Sequence, residues 1–311
     1  MIRHLICLTS ETEVNILASR IENQIPLVSI GMPIYNSETT IYKAIETIVN
    51  QTYKNIEIII SDNNSTDSTF KICNDFAMQD DRIKLVSQEV NIGPTRNFQC
   101  VLDGSKGKYF MWAAGDDFRS LDFIEVNVNA LEKYPNCVAS TSPNVFPGQD
   151  LNSSKISTSL KGTRVQRFKS FFEHPGTSHA LFYSLMRREV LIKCSFIKEL
   201  FFAWDWAIDL HMANYGEIHR TEAGEIFFSP GGFSQTNPYK RLGLVGIKRL
   251  YPFSIFNKEV LEIVKNWTFL EKLQVYKLLI NRNWINLFSY FKEVLLKQKN
   301  GAKKFLIGIS G

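Results

Sequence analysis

Four aspartates stand where carboxylates can do chemistry. Asp116 and Asp117 follow Gly115 at the end of the apolar run Tyr109–Ala113, and Asp62 follows a second apolar run, Ile56–Ile60. Asp205 lies between Trp204 and Trp206 in a stretch of helical spacing. Adjacent carboxylates at the end of a strand are hard oxygen ligands of the kind Mg²⁺ or Mn²⁺ takes. The alternative is a solvated turn, since Gly-Asp-Asp is also good turn chemistry. A carboxylate just past a buried strand can bond the edge of a base. A diphosphate-linked substrate needs this set of parts: a cation or basic groups for its phosphates, a pocket for base and ribose, and a carboxylate to take a proton from an attacking hydroxyl.

The elements around these residues alternate. Leu27–Met32 reads as a buried strand, and Thr39–Asn50 has its apolar residues at helical spacing, with Ser37 or Glu38 placed to cap it. Ile56–Ile60 is β-branched and uninterrupted, as in a strand buried on both faces. A helix is expected over Thr69–Met78 with Asp67 or Ser68 as its cap, then a strand over Ile83–Ser87, a helix over Thr95–Leu102 and a strand over Tyr109–Ala113. This alternation predicts an α/β fold: a Rossmann-like, mostly parallel sheet flanked by helices. Ligands of such sheets bind beyond the carboxyl ends of the strands, which is where Asn36, Asp62 and Asp116 fall.

Beyond residue 120 the signals thin. Residues 141–162 read as a mobile loop, Phe168–Ile197 mixes aromatics with strand-like runs, and Phe201–Tyr215 is helical up to Gly216. Ile226–Phe228 reads as a short strand and Ser229–Tyr239 as a loop. We divide the chain into a lead-in (1–25), a main domain (26–239, its nucleotide-binding half ending near 120 and its acceptor half following), and a helical C-terminal extension (240–311).

Four segments carry a family resemblance. Val28-Ser29-Ile30-Gly31-Met32-Pro33-Ile34-Tyr35-Asn36-Ser37-Glu38 resembles the opening of the family 2 glycosyltransferases, which have the GT-A fold. Gln51–Asp67 is similar to the family's next segment, Asn91-Ile92-Gly93 with Arg96-Asn97 to its third, and Gly107-Lys108-Tyr109 leading to Gly115-Asp116-Asp117 to its metal-binding region. Four motifs in order cover residues 26–120, and the resemblance extends to about 236.

The resemblance implies transfer of a sugar from a nucleoside-diphosphate donor, a UDP-sugar, to a hydroxyl acceptor with inversion, in polysaccharide or glycolipid synthesis, with Mg²⁺ or Mn²⁺ as cofactor. Pro33, Tyr35 and Glu38 would line the nucleotide pocket, Asp62 would meet the base with Arg96 nearby, and Asp116 and Asp117 would hold metal and diphosphate. The family often has an acid two residues before Asp116; here Ala114 stands there. Trp204-Asp205-Trp206 looks like the family's downstream acid, with Asp205 as base and Asp209 one turn on as the alternative. Burial between two tryptophans would raise the pKa of Asp205, which suits a base. Ser178-His179-Ala180-Leu181-Phe182-Tyr183 resembles a segment beneath the acceptor site, so His179 and Trp204 are candidate acceptor contacts. Pro230-Gly231-Gly232-Phe233-Ser234 looks like a loop that closes over the donor.

Composition and charge narrow the classes. Five well-separated cysteines with no CxxC pair suggest neither a zinc site nor a disulfide framework, and read as buried thiols. No stretch approaches the roughly 18 apolar residues of a spanning helix, and Met1–Leu8 is followed by Glu11 and Glu13 without a signal-peptide pattern, so a cytoplasmic location is expected. Residues 240–311 carry 14 Lys or Arg against 4 Asp or Glu, while the rest is net acidic. This basic tail repeats Leu273, Tyr276, Ile280, Trp284, Leu287, Phe291 and Leu295 at helical spacing. It reads either as a helix packed on the main domain or as an amphipathic surface for anionic lipid at the inner face of a membrane, near a lipid-linked or saccharide acceptor. No motif for nucleic acid accompanies the charge. Two other classes fit the sequence less well. A sugar nucleotidyltransferase needs a Gly-rich, basic phosphate loop that Met32-Pro33-Ile34-Tyr35-Asn36 lacks. A non-catalytic sugar-nucleotide or carbohydrate-binding subunit has Ala114 as its support.

Overall fold

A computed structural model describes residues 25–146, 159–174, 181–197, 199–229, 239, 242–244 and 246–309. The expected lead-in, His179 and the segment Pro230–Ser234 fall outside these residues. Strands β1 (Val28–Ile34), β2 (Ile56–Asp62), β3 (Ile83–Ser87) and β4 (Tyr109–Trp112) alternate with helices α1 (Ile41–Val49), α2 (Thr69–Ala77) and α3 (Pro94–Asp103). The acceptor half adds β5 (Phe118–Arg119), α4 (Phe123–Lys133), β6 (Cys137–Thr141), β7 (Asn144–Val145), α5 (Arg164–Glu173), β8 (Leu185–Arg187), α6 (Arg188–Leu191), α7 (Trp204–Tyr215), β9 (Glu217–Arg220) and β10 (Ile226–Phe227). Helices α8 (Ser254–Ile263) and α9 (Phe269–Ile309) follow.

Seven strands form one sheet in the order β3-β2-β1-β4-β8-β6-β9, and β5-β10-β7 form a second, smaller one. The pairs β1–β2, β1–β4, β2–β3 and β6–β9 are parallel, and β8 runs antiparallel to both its neighbours. Alternate residues of each strand feed opposite cores. Ile30, Met32, Ile58, Ile60 and Met111 pack with Ile41 and Ile45 of α1 and Phe123 and Val128 of α4. On the other face Ile59, Phe110 and Trp112 pack with Val101 of α3, Phe168 of α5 and Ile208 of α7. Gly31 sits under α3: a Cβ there would stand 2.6 Å from Val101 Cγ2 and 2.7 Å from Phe110 Cζ, so the close approach of α3 to β1 requires glycine.

The segments beyond residue 120 depart from the sequence reading. The expected loop over 141–162 contains β7, and Leu160 within it pairs with Ile218. The start of α5 is fixed by a capping box. Thr163 Oγ1 accepts from Gln166 N–H, and Thr163 N–H donates to Gln166 Oε1 at 2.8 Å. This satisfies backbone donors that a strand would have paired elsewhere. The cap of α1 is also different: it begins after Thr40 with no side-chain cap, and the Ser37 carbonyl instead accepts from Thr40 and Ile41.

The C-terminal helices pack on the acceptor half. Phe256 and Val260 of α8 and Val275 and Leu279 of α9 are buried in the same core as α5 and α7. Arg164 holds Glu271 through two hydrogen bonds, 2.9 and 2.5 Å, and Trp267 meets Phe168 at 4.9 Å between ring centroids. Among the described residues no helix is long and apolar enough to cross a membrane.

Candidate active site

The site forms where β1, β2 and β4 end side by side. Ile34 and Asp62 are register partners, as are Gly31 and Trp112, so the segments that follow them emerge from one edge of the sheet. Side chains lock these segments together. Asn36 Oδ1 accepts from Thr66 N–H at 2.9 Å, and Asn36 N–H donates to Ser65 Oγ at 2.9 Å. Glu38 N–H donates to Asp67 at 3.2 Å, while the Glu38 carboxylate accepts from Ser68 N–H at 2.9 Å. Asp67 also accepts from Thr69 N–H at 3.0 Å, satisfying a donor in the first turn of α2, as the sequence suggested. Beneath them lies Asn97 on α3, 2 % exposed, which bonds Ser61 and the Ile34 carbonyl.

Asp62 is 2 % exposed, and its carboxylate accepts from Ser65 N–H at 3.2 Å and Ser65 Oγ at 2.5 Å. Of the other expected nucleotide contacts, Tyr35, Glu38 and Arg96 are exposed at this edge and Pro33 is partly so. The Glu38 carboxylate is committed to the loop before α2, so its part in a pocket is to shape the Ser65–Ser68 segment.

Asp116 and Asp117 leave β4 through Gly115, where a Cβ would lie 3.2 Å from Ser37 Oγ and 3.3 Å from Ile34 Cγ2. The turn is thus pressed against the end of β1. Asp116 is partly exposed and Asp117 is 6 % exposed. Ser229 spans both: its N–H donates to Asp117 Oδ1 at 3.3 Å and its hydroxyl to the Asp116 carbonyl. Burial raises the pKa of Asp116, and burial together with the Asp116 charge pushes Asp117 up to about 7. Arg119, 3 % exposed, partly offsets this; its Nη2 donates to the Trp112 carbonyl at 3.0 Å, and burial lowers its own pKa to about 10, leaving it cationic at neutral pH.

Asp205 belongs to the same electrostatic neighbourhood. Burial holds the Tyr183 hydroxyl well above its usual pKa, and the charges of Asp117, Asp116 and Asp205 push it further while Arg119 opposes them. Tyr183 therefore remains a neutral phenol within the field of all three carboxylates. The sequence pointed to its segment, but a tyrosine in an aromatic run carries no signal that sets it apart from core.

The two tryptophans do not enclose Asp205. Neighbours on a helix turn by about 100° and do not face each other. Trp204 packs against Phe98 and Phe182, with ring centroids 5.5 and 5.3 Å away, while Trp206 meets Phe171 and Phe253. Asp205, between them in the first turn of α7, is partly exposed. Trp204 is itself only 8 % exposed and spends its indole N–H on the Ile197 carbonyl at 2.9 Å, which leaves little of its ring for an acceptor to touch. Asp209, one turn on, is 1 % exposed within the core.

Backbone strain marks the same places. The three non-glycine residues with positive φ among the described residues are Asn36 (47°), Asn64 (62°) and Ala203 (62°). They follow β1, follow β2 and precede α7. Asparagine tolerates this region, but alanine costs about 1–2 kcal/mol there. No sequence signal marks Ala203.

A divalent cation suits the residues present. Burial raises both carboxylates and the Asp116 charge raises Asp117 further, and a cation would relieve that cost. Among the described residues no group of three His, Cys, Asp or Glu could hold a metal alone. Two carboxylates with a diphosphate completing the shell is a common arrangement for Mg²⁺. The described clefts lined by Tyr215 lie at the far end of α7 from Asp205 and contain none of the four aspartates.

Comparison with known proteins agrees with this fold. Residues 29–194 match the model of glycosyl transferase family 2, and the chain belongs to that family. An Escherichia coli UDP-Glc:alpha-D-GlcNAc-diphosphoundecaprenol beta-1,3-glucosyltransferase is 41 % identical over 106 residues, 34 % of this chain and 41 % of its own. Staphylococcus aureus TarS 1–349 in complex with UDP-GlcNAc superposes with a TM-score of 0.54 at 15 % identity, covering 76 % of this chain and 71 % of that one. The mannosyltransferase from Pyrobaculum calidifontis in complex with GDP-Man and Mn²⁺ gives 0.52 at 14 %, covering 88 % and 86 %. At such identities the likeness is one of fold, here GT-A. The chain spans well under half the length of the first curated relatives it matches.

Proposed function

We propose that this protein is an inverting glycosyltransferase that moves a sugar from a nucleoside-diphosphate donor, a UDP-sugar, to a hydroxyl of a saccharide or lipid-linked acceptor, in polysaccharide or glycolipid assembly. The observation that carries the reading is the placement of Asp62, Asp116 and Asp117 at the ends of β2 and β4, the parallel strands that flank β1, with Asp205 in the same field at Tyr183. Asp62 holds the wall of the base pocket. Asp116 and Asp117 would hold Mg²⁺ or Mn²⁺, which would supply positive charge for the diphosphate. Asp205 takes the proton of the acceptor hydroxyl as its oxygen attacks the anomeric carbon from the face opposite the diphosphate, which inverts that centre. A lipid-linked acceptor fits the undecaprenol-linked acceptor named for the Escherichia coli relative, and with it a peripheral membrane contact through the C-terminal extension.

Calorimetric titration of UDP, GDP, CDP and dTDP, with and without Mn²⁺, into the wild type and Asp116→Ala tests the donor site. Metal-dependent binding of UDP, weakened by the substitution, is the expected result. Folded protein that binds no nucleotide under either condition would sink the assignment.

A further inference from the structure

Helix α9 has two apolar faces, and the fold uses one. Val275 and Leu279 point into the core, Glu271 is tied to Arg164, and the Arg282 guanidinium lies 4.7 Å from the Trp206 ring. On the other side Leu273, Tyr276, Ile280, Trp284, Phe288 and Phe291 are 41–71 % exposed. Their intervals of three and four residues set them along one stripe of the helix, facing away from the core. A monomer that leaves six large apolar side chains on one contiguous stripe normally covers them with something.

Charge decides what covers them. Lys277 and Lys292 are exposed, Lys272 partly so, and no Asp or Glu occurs between Lys272 and Lys292. A second copy of this chain would bring these lysines against their equivalents with no acid on the stripe to pair them. An anionic lipid surface supplies the opposite charge. Its interface also takes Trp and Tyr, whose rings are apolar and whose tips are polar. The interspersed lysines and asparagines forbid a spanning helix but suit one lying flat, their stems snorkelling to the headgroups.

We infer that the exposed face of α9 binds the surface of a bilayer containing anionic phospholipid, laying the helix in the interface plane. This deepens the peripheral membrane contact of the proposed function and rests on that reading. It assigns the contact to one stripe and one lipid charge.

The test uses the full chain and sucrose-loaded vesicles of phosphatidylcholine with or without phosphatidylglycerol. The chain is expected to sediment with the phosphatidylglycerol vesicles, weakly with phosphatidylcholine alone, and less as salt rises. Trp284 is 55 % exposed, whereas Trp112, Trp204 and Trp267 are buried, so binding should shift tryptophan emission to the blue, and Trp284→Phe should remove most of the shift. Replacing both Lys277 and Lys292 by Gln should weaken partitioning about thirtyfold. Wild type that ignores anionic vesicles, or a double variant that binds them as wild type does, overturns the inference. So does a dimer in solution that Phe288→Glu dissociates. Nucleotide titration on the same variants separates the two readings: lost lipid binding with intact UDP binding removes only this inference, and the reverse removes only the donor site.

Discussion

Asn97 brackets Ser61: its Oδ1 accepts from the Ser61 hydroxyl at 2.6 Å, and its Nδ2 donates to the Ser61 carbonyl at 2.9 Å. Ser61 is the residue before Asp62, and the same Nδ2 reaches the Ile34 carbonyl at 3.4 Å, so one buried amide sets the ends of two strands. Asn97→Leu leaves the Ser61 hydroxyl without its acceptor in a dry place. We expect a loss of about 3 kcal/mol in urea unfolding, and weaker nucleotide binding that persists at temperatures where the variant is fully folded. A variant of wild-type stability would show that water replaces the amide.

The acid pair makes stability fall as pH rises. Asp117 has a folded pKa of about 7, above its unfolded value of 3.8. The folded chain therefore holds more protons than the unfolded chain between these values, and stability declines as pH rises from about 4 through 7. The loss is at most about 4 kcal/mol above pH 7. Asp117→Asn should melt higher than wild type at pH 7.5 in chelator and equal it near pH 4, while Mn²⁺ should stabilise wild type alone. Thermal melts across pH, with and without Mn²⁺, read this directly; a variant that melts lower at pH 7.5 contradicts it.

Asp205→Asn keeps the shape of the first turn of α7 and removes the proton acceptor. Turnover should drop about 10²–10⁴-fold, with UDP-sugar affinity within about twofold of wild type. Equal turnover would pass the role to another group. Lost donor binding would mean that Asp205 builds the pocket.

Ala114 is partly exposed two residues before Asp116, so an acid fits there without displacing the core. Ala114→Asp should tighten Mn²⁺ binding about tenfold by adding a charged ligand and lower metal-free stability by adding a third carboxylate. A Mn²⁺ titration that gives an unchanged Kd would place that side chain away from the ion.

The nucleotide half was legible because each of its strands is an unbroken apolar run, and each run ends at the polar cluster that does the chemistry. Asp62 and Asp117 emerged where the sequence put them. The acceptor half was harder for physical reasons. Strand β8 has three residues and pairs antiparallel between β4 and β6, far apart in sequence; β5, β7 and β10 have two residues each. Elements that short are made by their partners, not by their own pattern. Helix α5 hides its spacing because Phe168, Phe171 and Phe172 resemble a strand-like aromatic run, whereas Thr163 and Gln166 announce its start. The flanking tryptophans of Asp205 suggested enclosure, but neighbours on a helix diverge.

Phe98 of α3, Trp112 of β4, Phe182 before β8 and Trp204 of α7 interlock behind the site, with Trp112 and Phe182 stacked at 4.9 Å and Trp112 Nε1–H donating to the Phe98 carbonyl at 3.1 Å. These four rings come from both halves of the main domain. Any clamshell-like separation of the segments on either side of them would have to break this stack and its indole hydrogen bond.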